Sequence, residues 1–107
     1  MSISERYRQI FEEIERKADQ LYNSLPEDTA KALRQVDLAA EEMQDWVESV
    51  GEIPRVQLET KLSPVLLKAH GCLDRARVLL ENADHQNAAA EVWELEQLIY
   101  RLLNDLC

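Results

Sequence analysis

Apolar side chains recur three or four residues apart along most of the chain, which is the spacing of one face of an α-helix. The first stripe consists of Ile3, Tyr7, Ile10, Ile14, Ala18 and Leu21. The second stripe consists of Leu33, Val36, Ala40, Met43, Val47 and Val50. Each stripe is typical of an amphipathic helix, so the pattern predicts a first helix of about twenty residues and a second helix that ends near Val50.

Two further stripes follow in the second half of the chain. The third consists of Val65, Leu66, Ala69, Cys72, Leu73, Ala76, Leu79 and Leu80. The fourth consists of Ala88, Val92, Leu95, Ile99, Leu102 and Leu106. No run alternates apolar and polar residues as a half-buried strand would, so the sequence predicts an all-α protein with four helices.

Small polar residues, proline and glycine mark the expected ends of the first two helices. Ser2 or Ser4 can cap the first helix by accepting a hydrogen bond from a backbone N–H of its first turn. Ser24 followed by Pro26 has the features of the start of the second helix. Gly51 is predicted to follow that helix in the left-handed conformation that often ends helices.

The third helix has two possible starting points. Ser63 and Pro64 form a cap followed by a first-turn proline, so we expect the helix to begin at Ser63. The alternative is a helix that begins near Pro54 and is kinked at Pro64. For the fourth helix, the predicted capping residue is Asp84 or Asn87.

Four amphipathic helices joined by short connections favour an antiparallel four-helix bundle. A chain of 107 residues has the length of one domain, so we expect residues 1–107 to form a single helical-bundle domain. The pattern is also compatible with a long helical hairpin whose core is completed by dimerisation. Four stripes are more than a monomer of this size needs, and this surplus favours a chain that contacts another protein.

The net charge of −9 disfavours direct binding to nucleic acid, which requires a basic surface, and docking on anionic membranes. Cys72 and Cys107 lie outside any CxxC or metal-binding spacing, so we expect two free thiols. The charged N-terminal stretch does not resemble a signal peptide, and no apolar run approaches the ~20 residues of a membrane span. These features together predict a cytoplasmic protein.

The acidic residues are concentrated in the second helix, because residues 26–50 contain seven acids and two bases. The face opposite the apolar stripe carries Asp37, Glu41, Asp45 and Glu48. This face is either a solvated surface or an electrostatic patch that attracts a basic partner.

Three aromatic residues lie beside the apolar stripes rather than within them: Trp46, Trp93 and Tyr100. In a small bundle we expect such side chains to pack against the core, although Trp and Tyr are also enriched at binding hot spots. Joint exposure of Trp93 and Tyr100, which are seven residues apart, would favour an interface.

The residues offer little catalytic chemistry. His70 and Asp74 are one helical turn apart, but no third metal ligand accompanies them, and we predict no metal and no cofactor. His70 occupies a mid-helix position like that of a phospho-accepting histidine, yet it lacks the following lysine of the histidine phosphotransfer family. Cys72 has no histidine placed to activate it, so we predict a protein that is not an enzyme.

Two functional classes remain. The first is a non-catalytic interaction module, such as a regulator, adaptor or chaperone-like bundle, that binds an amphipathic helix of another protein or a second copy of itself. Its predicted contact residues are Trp46, Trp93 and Tyr100. The second is an acidic antagonist, meaning an inhibitor, immunity protein or nucleic-acid mimic, that uses the acidic face of the second helix against a basic partner.

Overall fold

The computed structural model describes residues 1–106, which form four α-helices joined by short connections. The helices are α1 (Ile3–Ser24), α2 (Ala30–Val47), α3 (Leu58–Asn82) and α4 (Gln86–Asp105). Each helix packs against the next, and α4 packs against α1, so the four form a closed ring. The molecule measures 43 by 21 by 20 Å. The predicted all-α class and four-helix bundle are therefore confirmed.

All four predicted stripes contribute side chains with no solvent exposure to one hydrophobic core, although Leu79 of the third stripe is exposed. Examples of these fully buried residues are Ile14, Met43, Leu73 and Ile99. The core is thus complete within one chain, and the hairpin that requires a second copy to bury its stripes is not the architecture. Among the described residues, no helix is long and apolar enough to cross a membrane.

The start of α1 stabilises the end of α2. Ser2 caps α1, as predicted, because its hydroxyl accepts a hydrogen bond of 3.1 Å from the Glu5 N–H. The buried Tyr7 hydroxyl donates to the Met43 carbonyl at 2.6 Å, and the Arg8 Nε donates to the Val47 carbonyl at 2.9 Å. The carbonyl of Val47, the last residue of α2, lacks an intrahelical donor, so Arg8 satisfies a group that α2 leaves unpaired, while Tyr7 adds a bond to the turn before it.

The predicted ends of α2 are wrong at both sides. Ser24 does not cap α2, because its hydroxyl donates to the Gln20 carbonyl at the end of α1. Residues Glu27–Thr29 form a 3-10 turn before α2 begins at Ala30. After Val47, the residues Val50–Glu52 form a second 3-10 turn, and Gly51 does not adopt a left-handed conformation.

The reason for the second 3-10 turn is the burial of Val50. Val50 is 1% exposed, and the turn that carries it packs against α1. A 3-10 turn is tighter than an α-helical turn, so it changes the direction of the chain while Val50 still reaches the core.

The prediction that α3 begins at Ser63 is also wrong. The helix begins at Leu58, and Pro64 lies inside it. Leu62 has no solvent exposure, and Leu58 packs against the core. An interior proline costs about 3 kcal/mol, but burial of a leucine side chain contributes roughly 1.5–3 kcal/mol, so two leucines offset that cost.

A single left-handed residue turns the chain from α3 into α4. Asp84 has a φ of 65°, a conformation that Asp tolerates better than most residues. The following residue, His85, donates its N–H to the Leu80 carbonyl at 2.9 Å, which closes the end of α3. His85 occupies the capping position of α4 without a side-chain hydrogen bond, so the prediction of Asp84 or Asn87 as the cap is wrong. Cys107 lies outside the described residues.

We predict that Tyr7→Phe lowers the free energy of unfolding by about 1 kcal/mol, because it removes the buried hydrogen bond to the end of α2. Urea denaturation followed by circular dichroism measures the change. Tyr22→Phe is the matched control, since Tyr22 also lies on α1 but is 65% exposed. Equal stability of the two variants would contradict the assignment.

Candidate functional site: an uncharged face on α3 and α4

The outward side of α4 carries no charged residue along a stripe that runs the length of the helix. The stripe consists of Gln86, Ala90, Trp93, Gln97, Tyr100 and Asn104. These residues follow one another at intervals of four and three, so they share one side of the helix. Trp93 is 51% exposed and Tyr100 is 53% exposed. The expectation that these two aromatic residues pack into the core is therefore wrong.

The outward side of α3 carries a second uncharged stripe. It consists of Thr60, Pro64, Leu67, Gly71, Val78 and Asn82. Leu67 is 60% exposed and Val78 is 41% exposed. Because α3 packs against α4, the two stripes lie on neighbouring helices. We call these twelve residues the α3–α4 face.

Three of the four acidic residues of α4 are paired away from this stripe, and the fourth, Glu94, is exposed at its edge. Glu91 lies 3.7 Å from the Lys17 ammonium of α1, and the Asp105 carboxylate lies 2.6 Å from the Arg6 guanidinium. Glu96 is 3% exposed and contacts α3. The acidity of α4 is thus largely taken up by ion pairs with other helices.

A polar cluster joins α3 to α4 between the two stripes, where Arg77 and Glu81 line a surface groove with Trp93. The Arg77 guanidinium donates to Glu96 at 3.1 Å, to Asp74 at 2.6 Å and to Glu81. The His70 Nε2 lies 3.7 Å from a carboxylate oxygen of Glu96. One guanidinium therefore holds three carboxylates, and it supplies the hydrogen bonds that a buried carboxylate requires.

Burial and, to a lesser extent, the neighbouring Asp74 carboxyl together raise the pKa of Glu96 to about 7, while Arg77 acts in the opposite direction. The pKa of Asp74 is lowered, because its carboxylate accepts a hydrogen bond from Arg77. Sequence reasoning missed Glu96. Its place among Val92, Leu95 and Ile99, within one turn of each, was the available signal.

The other residues with chemical potential are not assembled into a reactive site. The buried Cys72 thiol accepts a hydrogen bond of 3.3 Å from Arg75. Among residues 1–106, no group of three or more His, Cys, Asp and Glu side chains is arranged to hold a metal ion. His70 faces Glu96, and the carboxylates of this cluster would repel a phosphoryl group.

The structure divides the predicted acidic patch of α2. Asp37 and Glu41 line a groove between α1 and α2 together with two acids of α1, Glu15 and Asp19. Partial burial raises the pKa of Asp37, and the charges of Glu41 and Asp19 act in the same direction. Arg34 offsets part of this repulsion, with its guanidinium 3.2 Å from Glu41.

The remaining predicted contact residues lie further along α2. Asp45 and Glu48 are exposed there, whereas Trp46 is half-buried against the core and lines a small groove with Ile53 and Pro54. The structure therefore brings Trp93 and Tyr100 together on one face but does not bring Trp46 into it.

No protein-family model, curated protein or solved structure matches this chain.

We predict that Glu96→Gln stabilises the protein at pH 8 but has little effect at pH 5. Because the folded-state pKa of Glu96 is about 7 and lies above the ordinary value of 4.5, the folded state binds its proton more tightly than the unfolded state. The wild-type protein therefore loses this stabilisation as the pH rises from about 4.5 to about 7, whereas glutamine stays neutral. We expect a gain on the order of 2 kcal/mol at pH 8.

Urea denaturation at both pH values measures this difference. The matched control is Glu12→Gln, which removes an exposed carboxylate of α1 outside both the polar cluster and the α3–α4 face. A gain in Glu96→Gln that is equal at pH 5 and pH 8 would show that Glu96 does not titrate between them.

Proposed function

We propose that this chain is a non-catalytic interaction module that binds another protein through the α3–α4 face. The observation that carries the proposal is the joint exposure of Trp93 and Tyr100 within an uncharged stripe, on a chain whose net charge is −9. The buried centres of protein interfaces are depleted in charge and enriched in aromatic residues, and Trp and Tyr dominate binding hot spots.

The proposal does not depend on a surplus of apolar stripes, which was the reason for expecting an interaction from the sequence. The four apolar stripes are not surplus, because one chain buries all of them. What favours an interaction is the outward side of α3 and α4, where four large apolar side chains are exposed. They are Leu67, Val78, Trp93 and Tyr100.

A second candidate is the acidic antagonist, which would oppose a basic partner. It is favoured by the groove in which Glu15 and Asp19 of α1 face Asp37 and Glu41 of α2. Such binding would weaken steeply with added salt, whereas contact through an uncharged face would not. Salt dependence therefore distinguishes the two candidates.

A third candidate, phosphotransfer through His70, has less support. Glu96 and Asp74 surround the imidazole with negative charge, and the nearby cation, Arg77, already holds both carboxylates.

We predict that a photoreactive benzoylphenylalanine in place of Trp93 forms a covalent adduct with a second polypeptide when irradiated in cells of the source organism. The same group in place of Tyr22 is the matched control, because Tyr22 is an exposed aromatic residue of α1 outside the α3–α4 face. Mass spectrometry of the adduct identifies the second polypeptide. Adducts at position 22 but none at position 93 would contradict the proposal.

A further inference from the structure

We propose that the α3–α4 face binds a second copy of this chain about a two-fold axis. The axis lies between the two faces, at right angles to the helices and at the height of Gln97. This inference names the partner in the interaction proposed above and therefore rests on that proposal.

The distribution of exposed acids favours the α3–α4 face as the contact between two copies. Two copies that each carry a net charge of −9 repel one another, so a stable contact requires surfaces without unpaired acids. The outward sides of α1 and α2 carry exposed acids such as Glu12, Glu41 and Asp45. The α3–α4 face carries none, and the two acids between its stripes, Asp74 and Glu81, are both paired with Arg77.

The stripe on α4 is nearly symmetric about its centre. Gln97 lies near its centre, four residues after Trp93 and three before Tyr100. When two α4 helices pack antiparallel about an axis at Gln97, Trp93 lies opposite Tyr100 of the partner subunit. The two-fold axis repeats this contact with the roles exchanged, so the face is complementary to itself. The two amides of Gln97 meet at the axis.

The exposed apolar residues of α3 are compatible with the same two-fold axis. His70 and Arg77 both contact Glu96, so the part of α3 between them lies at the height of Glu96 and of its neighbour Gln97. Leu67 lies before this part of α3 and Val78 lies just after it, so the midpoint between Leu67 and Val78 falls within it. An axis at this height therefore places Leu67 opposite Val78 of the partner subunit.

The edge of α4 carries two charged residues that complement each other across the axis. Glu94 and Arg101 are exposed and seven residues apart, so they lie on the same side of the helix. Neither forms an ion pair with another residue in the part of the chain that the structure describes. The axis places Glu94 opposite Arg101 of the partner subunit, which gives two ion pairs in the dimer.

The side of the bundle that carries the α3–α4 face is large enough for a stable dimer. It measures 43 by 21 Å, about 900 Å² in projection, and a standard interface buries roughly 800 Å² on each partner. An interface of standard size therefore covers most of this side, with the α3–α4 face at its centre and Glu94 and Arg101 at its edge.

A charge-reversal cycle tests the geometry by sedimentation equilibrium. Arg101→Glu places two carboxylates opposite each other at both ends of the contact, so we expect the dissociation constant of the dimer to rise by at least about tenfold. Glu94→Arg should have a similar effect. The double variant should restore dimerisation, because it exchanges the charges of each pair.

Lys31→Glu is the matched control, since it makes the same change in net charge on the exposed side of α2 and should leave dimerisation nearly unchanged. Circular dichroism verifies that each variant is folded. A wild-type chain that remains monomeric at every concentration would overturn the inference. A double variant that dissociates as readily as the single variants would also overturn it.

The outcomes separate this inference from the proposed function. Photochemical adducts at position 93 with twice the mass of the chain, together with the restored double variant, support the dimer. Adducts at position 93 with a different polypeptide and a monomeric chain would overturn the dimer but leave the interaction module standing. A monomeric chain without adducts at that position would overturn both.

Discussion

Burial of four apolar stripes in a single core determines the rest of this structure. Each helix has one stripe, and a closed ring of four helices buries all of them at once. When a stripe faces the core, the rotation of its helix about its own axis is fixed. The residues on the opposite side are then exposed whatever their chemistry, which is how Trp93 and Tyr100 come to lie outside.

The apolar stripes fix the rotation of each helix about its axis more strongly than its position along that axis. Apolar contacts are not directional, so leucine and alanine pack against many different apolar neighbours. The polar cluster of Arg77, Glu96, Asp74 and His70 supplies the missing constraint between α3 and α4. Hydrogen bonds between charged groups have narrow geometry, and a buried Glu96 without Arg77 would be costly. A shift of α3 along α4 would break these contacts, so the cluster disfavours alternative positions.

The sequence predicts the four helices because the apolar periodicity depends on the same burial that forms the core. It fails at the helix ends, where local signals compete with packing. Ser63 and Pro64 have every feature of a helix start, but the burial of Leu62 extends α3 past them. Gly51 offers a left-handed end to α2, but Val50 reaches the core through a 3-10 turn instead.

The candidate site is only partly predictable for a related reason. Trp93 and Tyr100 are recognisable from their spacing on one helix, and the sequence indicates them. Leu67 and Val78 become part of the same face only when it is known which side of α3 adjoins α4. The burial of Glu96 is equally hard to predict from the sequence, because it depends on Arg77, which is nineteen residues away on another helix.

The distribution of charge then gives the bundle two unlike sides. The ion pairs of Lys17 with Glu91 and of Arg6 with Asp105 draw acids of α4 toward α1, while Arg77 draws Glu96 inward. The outward stripe of α4 has no charged residue of its own, and most of the exposed acids lie around α1 and α2. Repulsion between acidic surfaces disfavours association of two molecules through the α1–α2 side. The same repulsion therefore favours orientations in which another molecule approaches the uncharged α3–α4 face.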